Sequence, residues 1–212
     1  MSRSSPAPQQ RRQAILSAAE ELFLQQGFEN TQVSQIVKQI GAAQGTFYNY
    51  FSSKEAALTV IFENIWEQFL QSVAACTPPG PPVSRLQFTL ASLFQPPEVN
   101  PMPSERWQAL TRLIEHPLAH QLFDQARMQA LQPRILNIIQ DGIADGSFQP
   151  YTFTPESVEI LFMGINTYLH EHADEFSDPT ALVRHITAIQ EVLSRSLGLP
   201  PGSIQLISVQ SR

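Results

Sequence analysis

Eight consecutive residues near the amino-terminal end have the composition of a surface that reads DNA bases. They are Gln44-Gly45-Thr46-Phe47-Tyr48-Asn49-Tyr50-Phe51. Gln and Asn can pair bidentately with adenine, Thr can contact a thymine methyl, and Tyr can reach a phosphate. Phe47 and Phe51 lie four residues apart, so on a helix they share one face and are expected to pack into the core. Gly45 allows the backbone to approach DNA closely.

The histidines and the single cysteine do not form a metal site or a catalytic site by their spacing. His116 and His120 are separated by a proline and have no evident third ligand, and His170 and His172 lie on opposite faces of a helix. No Glu-x-x-His pair of a di-iron bundle and no His-Glu-x-x-His or Gly-x-Ser-x-Gly motif occurs. Cys76 has no evident base beside it. We therefore expect no enzymatic activity, no metal and no cofactor.

The polar stretch is positioned by helices whose limits follow from local chemistry. The first helix has apolar residues at i, i+3, i+4, i+7 and i+8: Ile15, Ala18, Ala19, Leu22 and Phe23. Gly27 is expected to end it, with Phe28 packing back on the cap. Thr31 is expected to cap a second helix, which Gly41 ends. A third helix over about 43–50 completes a helix-turn-helix, whose second helix enters the major groove.

Length and composition indicate a folded protein with one or two domains. The chain has 212 residues, of which 42% are hydrophobic and 15% are charged, which excludes wholesale disorder. One cysteine excludes a disulfide framework and a four-thiolate zinc site. No run of about 18 apolar residues predicts a membrane span, and the first residues lack the apolar segment of a signal peptide. We expect a cytoplasmic protein with no membrane partner.

Charge is distributed unevenly along the chain. The net charge is −6, yet residues 1–54 carry five basic and three acidic groups, whereas the other 158 residues carry eight basic and sixteen acidic groups. A positive amino-terminal part on an acidic body suits a protein in which only the first part meets a polyanion.

The amino-terminal residues resemble a known family of regulators. The matching segments are Ile15-Leu-Ser-Ala-Ala-Glu-Glu-Leu-Phe, Gly27-Phe28, Thr31-Gln-Val-Ser-Gln-Ile-Val, Gly41 and Gly45-Thr-Phe-Tyr-Asn-Tyr-Phe-Ser-Ser-Lys-Glu-Ala-Ala-Leu58. Together they resemble, without a gap over about residues 11–60, the DNA-binding domain of the tetracycline-repressor (TetR) family. Ala43 and Gln44 depart from it, since the family often has Ser or Thr and then Lys there.

The resemblance implies specific roles for residues of this domain. Thr31, Tyr48 and Lys54 would contact the DNA backbone. Gln44, Gly45, Thr46 and Asn49 would face base edges. Arg11 and Arg12 would add phosphate or minor-groove contacts. The alternatives are that Tyr48 and Asn49 are ordinary surface residues and that the two arginines are solvated and idle; Tyr50 is expected in the core.

The remainder of the chain is also expected to be helical, which makes the fold all-α. A fourth helix is predicted from Ser53, as its N-cap, to Cys76, followed by helices at about 83–95, 103–115, 117–141, 155–173 and 179–198. Ser104, Thr154 and Asp178 are expected caps. The predicted organisation is a flexible arm over 1–10, a helix-turn-helix DNA-binding domain over 11–54, a connecting helix over 54–76, a ligand-binding and dimerisation domain over 77–198 and a tail over 199–212.

The last two long helices carry facing apolar residues. In the resembled family such helices pair with their mates in a four-helix dimer interface, here assigned to Leu161, Gly164, Tyr168, Ile186, Ile189 and Leu193. The alternative is a hairpin within one chain. A twofold dimer would place two recognition helices about 34 Å apart on a palindromic operator.

Aromatic and aliphatic residues of the middle helices are candidates for a ligand cavity. They are Phe88, Phe94, Trp107, Leu110, Ile114, Leu122 and Phe123. Asn166 and His170 could supply polar contacts. The alternative for each apolar residue is an ordinary core position.

The sequence therefore predicts a homodimeric, ligand-responsive DNA-binding regulator. The resemblance implies a repressor, with double-stranded operator DNA and a small, largely apolar effector as its partners. The alternative is a helical ligand-binding or interaction protein without DNA binding.

Overall fold

All regular structure in the described part of the chain is helical. The computed structural model describes residues 7–94, 103–149 and 154–206, and it confirms the all-α class within these ranges. The helices are α1 (Pro8–Gln26), α2 (Val33–Gln39), α3 (Gln44–Tyr48), α4 (Lys54–Cys76), α5 (Pro82–Phe94), α6 (Ser104–Leu113), α7 (Pro117–Ala144), α8 (Pro155–Glu171), a 3-10 turn (Ala173–Ser177) and α9 (Pro179–Ser196). No helix within the described ranges is long and apolar enough to cross a membrane.

The helix limits follow the capping chemistry expected from the sequence. The Thr154 hydroxyl accepts a hydrogen bond from the Ser157 N–H (3.3 Å), and the Asp178 carboxylate accepts one from the Thr180 N–H (3.0 Å). In both helices a proline follows the cap, where its missing N–H costs no hydrogen bond. All five helices predicted beyond residue 80 begin within one residue of their expected positions.

Three predicted limits are displaced. Helix α6 begins at Ser104 itself, so Pro103 rather than Ser104 occupies the cap position and no side chain caps the helix. Gln32 rather than Thr31 is the cap residue of α2. Helix α1 begins at Pro8, three residues before the predicted start of the DNA-binding domain at residue 11, since proline is well tolerated in a first helical turn. Residues 1–6 of the arm and 207–212 of the tail lie outside the described residues.

The chain groups into two compact units that do not follow the predicted boundary at residue 77. The first comprises residues 1–69 and 101–127, and the second comprises residues 70–100 and 128–212. The physical reason lies in α6, which packs against α1 and pairs Arg106 with Glu20. Helix α6 and the start of α7 therefore belong with the amino-terminal helices.

Candidate nucleic-acid interface

The short helix α3 is anchored by two buried aromatic rings. Phe47 is fully buried and Phe51, just beyond the helix, is 4% exposed, with their ring centroids 5.6 Å apart. Helix α2, which contributes buried Ile36 and Val37, packs against both α1 and α3. The prediction that both phenylalanines enter the core is confirmed. Their burial fixes which face of α3 remains outside.

The outer face of α3 carries the polar residues that were expected to read DNA. Gln44, Gly45 and Asn49 are exposed, Tyr48 is 53% exposed, and Thr46 is half-buried. The Tyr48 ring stands edge-on to Phe47, with a centroid distance of 5.5 Å. Four of the five residues predicted to contact bases or backbone from this segment therefore lie open to a partner, and Thr46 presents only part of its side chain.

Nothing within the described part of the chain requires a glycine at position 45. A Cβ built at this position would meet no atom within 4 Å, and the backbone φ is not positive. Glycine nevertheless weakens a helix interior by about 0.5–1 kcal/mol relative to alanine. A contact made outside this chain is therefore the best physical reason for a glycine here.

The turn between α1 and α2 is held by side-chain hydrogen bonds. Thr31 is 1% exposed, and its hydroxyl donates to the Gly27 carbonyl (2.8 Å). The Gln35 side chain accepts from the Gln32 N–H (2.7 Å), which satisfies one free donor at the start of α2. The positive φ of Gly27 (83°) allows the chain to leave α1 as predicted. Thr31 thus stabilises the turn, and its expected role as a phosphate contact stays a prediction.

Lys54 also has an internal role that the sequence did not reveal. Its Nζ donates to the carbonyls of Phe28 (2.9 Å) and Thr31 (3.3 Å) and lies 4.2 Å from the centroid of the Phe28 ring. The ammonium therefore ties the start of α4 to the turn before α2. This arrangement favours a positioning role for Lys54 over the phosphate contact expected from the resemblance.

Ser53 caps α4 as predicted. Its hydroxyl accepts from the Ala56 N–H (3.2 Å). A hydrogen bond from the Ser53 side chain lowers the pKa of Glu55, whose negative charge also suits the amino-terminal end of a helix. The start of α4, and with it Lys54, is therefore fixed by local contacts.

We expect the Lys54→Ala substitution to lower the free energy of unfolding by about 1–3 kcal/mol, because two carbonyls lose a charged donor. Urea unfolding of the full chain measures this effect. Lys38→Ala is the control, since Lys38 is exposed in the last turn of α2 and should change stability by no more than about 0.5 kcal/mol. A Lys54→Ala variant of unchanged stability that instead binds DNA with a flatter salt dependence would restore the phosphate contact.

The remaining basic groups of the domain differ in exposure. Arg12 is exposed and its guanidinium carbon lies 5.2 Å from the centroid of the Phe51 ring, whereas Arg11 is half-buried. Arg12 is thus held beside the residue that follows α3 instead of extending from a free arm. Lys38 is also exposed and lies on α2. The two arginines stay candidates for phosphate contacts.

The predicted dimer residues divide into two groups. Ile186, Ile189 and Leu193 are at most 4% exposed within a single chain, so they belong to its core and not to an interface. Tyr168 and Leu161 are half-buried. The exposed residues of α8 and α9 include charged side chains, such as Glu159, Arg184 and Glu191, and also Ile160 (72% exposed), Met163 (54%), Gly164, Thr167, Ala188 and Val192 (48%). We call the last six residues the α8–α9 outer face, and of the predicted interface residues only Gly164 is among them.

The half-buried Tyr168 belongs to a polar cluster that sequence spacing did not reveal. Its hydroxyl lies 2.6 Å from Nδ1 of His185, which is 3% exposed, and His185 Nε2 lies 3.1 Å from Glu175. The hydrogen bond with His185 is the main cause that lowers the pKa of Glu175. This cluster joins α8, the 3-10 turn and α9.

The residues predicted to line a ligand cavity are divided between the two units. Leu110 and Phe123 are buried in the first unit, where Phe123 packs with Trp66 (centroids 5.0 Å apart) and its carbonyl accepts from the indole N–H (3.2 Å). The half-buried Trp107, Ile114 and Leu122 belong to the same unit, and Asn166 and His170 belong to the second. Phe88 lines an open groove of about 390 Å³ beside Pro81 and Leu206. The Phe94 side chain lies outside the described residues.

Comparison with known proteins finds a family model and relatives that resemble part of this chain. Residues 15–59 match the family model described as "Bacterial regulatory proteins, tetR family". The uncharacterized HTH-type transcriptional regulator YvdT of Bacillus subtilis (strain 168) is 46% identical over 59 residues, which are 28% of this chain and 30% of that protein. The fatty acid metabolism regulator protein of the same organism is 42% identical over 57 residues, 27% of this chain and 29% of that protein.

The fold extends further than these sequence matches. The crystal structure of RolR in complex with the ligand resorcinol aligns with a TM-score of 0.63 over 91% of this chain and 90% of that chain, at 21% identity. These two sequence matches each span less than a third of the length of the relative. These relatives are named as regulators and not as enzymes, in agreement with the expectation from sequence.

Proposed function

We propose that this protein, whose amino-terminal helices are a TetR-family helix-turn-helix domain, is a sequence-specific DNA-binding transcriptional regulator. The observation that carries the proposal is the outer face of α3. It presents amides, a tyrosine and a glycine with open space around it, on a helix that is fixed by Phe47. Such a face matches the donors and acceptors of base edges in the major groove.

The exposed residues divide into two roles. Gln44 and Asn49 would read base edges, with Gly45 allowing close approach of the backbone. Tyr48 and Arg12 would contact phosphates and fix the orientation of the helix on the duplex. Since each phosphate contact releases counterions, the DNA affinity should fall steeply with salt concentration.

A second copy of the chain is the partner that best fits the α8–α9 outer face. Ile160, Met163 and Val192 are large apolar side chains that a single chain leaves about half or more exposed. Pairing these faces around a twofold axis would bury them and would set two α3 helices on successive major grooves of a palindromic operator. The homodimer and the palindrome are parts of the same proposal.

The proposed mode of action is repression that a small ligand relieves. RolR, which shares the fold, has been crystallised with resorcinol. In this chain α4 begins at Lys54, which holds the turn before α2, and its last turns line a groove in the second unit. A ligand that shifted α4 would need a coupling free energy of about 1–3 kcal/mol to change DNA affinity roughly 5- to 150-fold.

Gly45→Ala separates DNA binding from folding. We expect the variant to be more stable than the parent protein by about 0.5–1 kcal/mol, because alanine favours the helix. We also expect its affinity for the preferred operator to fall at least about tenfold, or about 1.4 kcal/mol, because a methyl group would intervene between backbone and base edges. The operator is obtained by selection from a random DNA pool, and affinity is measured by titration at two salt concentrations.

The stability of the same variant serves as the control, since a loss of binding that accompanies a gain in stability cannot come from unfolding. Undiminished DNA affinity of Gly45→Ala would show that the backbone at residue 45 does not approach the duplex. Failure of the parent protein to enrich any sequence from the random pool would refute the proposed function itself.

A further inference from the structure

A groove in the second unit has the chemistry of an anion site. It lies between the end of α4, the turn that follows it, α5 and α7, and its volume is about 360 Å³. The polar residues lining it are Thr77, Arg85, Thr89, Arg134 and Asn137. The apolar residues lining it are Leu70, Val73, Ala74, Pro78, Pro79 and Ile138. None of the nine residues that the sequence predicted for a ligand pocket is among them.

Arg85 enters this groove with part of its hydrogen-bonding capacity unused. Its Nη2 donates to Asp141 (2.8 Å), whereas its Nε is buried and has no hydrogen-bond partner. A buried donor without an acceptor costs about 1–3 kcal/mol relative to a satisfied one. The guanidinium itself lines the groove, and it presents its donors in a planar fork that matches a carboxylate.

The other polar groups of the groove make it selective for a negative charge. Arg134 contributes a second guanidinium from α7, and none of the described residues that line the groove is acidic. The hydroxyls of Thr77 and Thr89 already donate to the carbonyls of Val73 (2.7 Å) and Arg85 (2.9 Å). These two hydroxyls therefore have no proton left to donate to a ligand.

The placement of these arginines contrasts with the charge around them. Residues 70–100 and 128–212 carry five arginines, no lysine and ten acidic residues. Two of the five arginines line this one groove. A surface that is acidic overall repels anions in general, so a local pair of guanidiniums concentrates anion binding at one place.

The apolar walls and the size of the groove define the rest of the ligand. A volume of about 360 Å³ lies at the small end of the range for ligand sites, roughly 300–1,000 Å³. Six apolar side chains would bury a hydrocarbon group, which inorganic phosphate or sulfate lacks. The combination fits a small organic acid with its carboxylate at the arginines and its hydrocarbon part against Leu70, Val73 and Ile138.

We infer that this groove binds a small organic carboxylate and that this ligand is the effector of the regulator. The second part rests on the proposed function. The groove is formed in part by the last turns of α4 (Leu70, Val73 and Ala74), so a bound ligand contacts the helix whose first residue, Lys54, holds the turn before α2.

The test measures binding of matched acids and amides to the full chain by calorimetry. The probes are acetate, hexanoate, benzoate and phenylacetate, each compared with its primary amide, together with inorganic phosphate. We expect at least one of the larger acids to bind with a Kd of about 10 μM to 1 mM and at least about tenfold more tightly than its amide and than phosphate. Absence of binding by every acid, or equal binding of acid and amide, overturns the inference.

Three variants and a control locate the site. Arg85→Gln and Arg134→Gln should each weaken acid binding at least about tenfold without changing amide binding. Asp141→Asn removes the ion-pair partner of Arg85 but keeps the guanidinium, so it should bind the acid at least as tightly as the parent protein. The control is Arg195→Gln, whose side chain is 77% exposed and which does not line the groove. Equal losses in Asp141→Asn and Arg85→Gln would mean that only the ion pair matters, and they would overturn the assignment.

The role as effector is tested separately from the site. The acid that binds should release the protein from its selected operator, and this release should be lost in Arg85→Gln. Acid binding without DNA release overturns the effector role. If the protein binds DNA but none of the acids, the anion site is overturned and the proposed function stands. If the protein binds an acid but selects no DNA, the proposed function alone is refuted.

Discussion

Replacing Ile160 with aspartate is expected to convert the protein into a monomer and to lower its affinity for a palindromic operator by about 10²–10⁴-fold. Ile160 is 72% exposed in one chain, so the substitution places a charge on a surface that water already reaches and should change the stability of the monomer by no more than about 0.5 kcal/mol. In the proposed dimer the same carboxylate would be buried among Met163 and Val192 without a partner, which is strongly unfavourable.

The loss in DNA affinity follows from the loss of linkage between two recognition helices. One helix of the length of α3 contacts few base pairs, and the second half-site is bound with a high effective concentration only when the two copies are joined. Sedimentation velocity gives the oligomeric state, and titration of the selected operator gives the affinity.

Ile143→Asp is the matched control, since Ile143 is a large apolar residue, 44% exposed, on α7. It should leave the dimer intact, and a dimeric Ile160→Asp protein would contradict the proposed interface.

The helices and their limits were predictable because the signals that set them are local. The Thr154-Pro155 and Asp178-Pro179 pairs fix the starts of α8 and α9 through side chains that are adjacent in sequence. Gly27 likewise ends α1 through its own backbone conformation. Such contacts are encoded within a few residues, so the sequence alone specifies them.

Whether an apolar helix face packs in the core of one chain or in a dimer interface was not predictable, because helical periodicity is the same in both cases. Ile186, Ile189 and Leu193 share one face of α9, and the same spacing would serve a dimer or, as observed, the interior of one chain. The grouping of α6 with α1 likewise depends on contacts between distant residues, such as Arg106 with Glu20. The sequence contains no local signal for either.

Lys54 shows how far a residue's role can be inferred from a motif. The motif placed a lysine correctly at the start of α4, but its bonds to Phe28 and Thr31 depend on where the preceding turn lies in space. Arg85 illustrates the same point in the second unit, since its groove is formed by residues from three helices and a turn. A side chain that spans between elements takes its role from tertiary structure.

Phe47 and Tyr48 are adjacent in sequence, but Phe47 is buried and Tyr48 is exposed. Substitutions at the two positions therefore separate effects on folding from effects on DNA recognition. Phe47→Ala should lower the free energy of unfolding by about 3–5 kcal/mol, because a fully buried ring is replaced by a cavity. This is a large fraction of the roughly 5–15 kcal/mol that stabilises a typical domain. Urea unfolding followed by circular dichroism measures the change.

Tyr48→Ala should leave that free energy within about 1 kcal/mol of the parent value, because 53% of the side chain is already exposed. Its affinity for the selected operator should nevertheless fall roughly tenfold, about the value of one hydrogen bond to a charged phosphate. A Tyr48→Ala protein that binds the operator as tightly as the parent would show that this ring is only a surface residue. If Phe47→Ala remained as stable as the parent, its ring would not anchor α3, and the exposed polar face could not be a fixed reading surface.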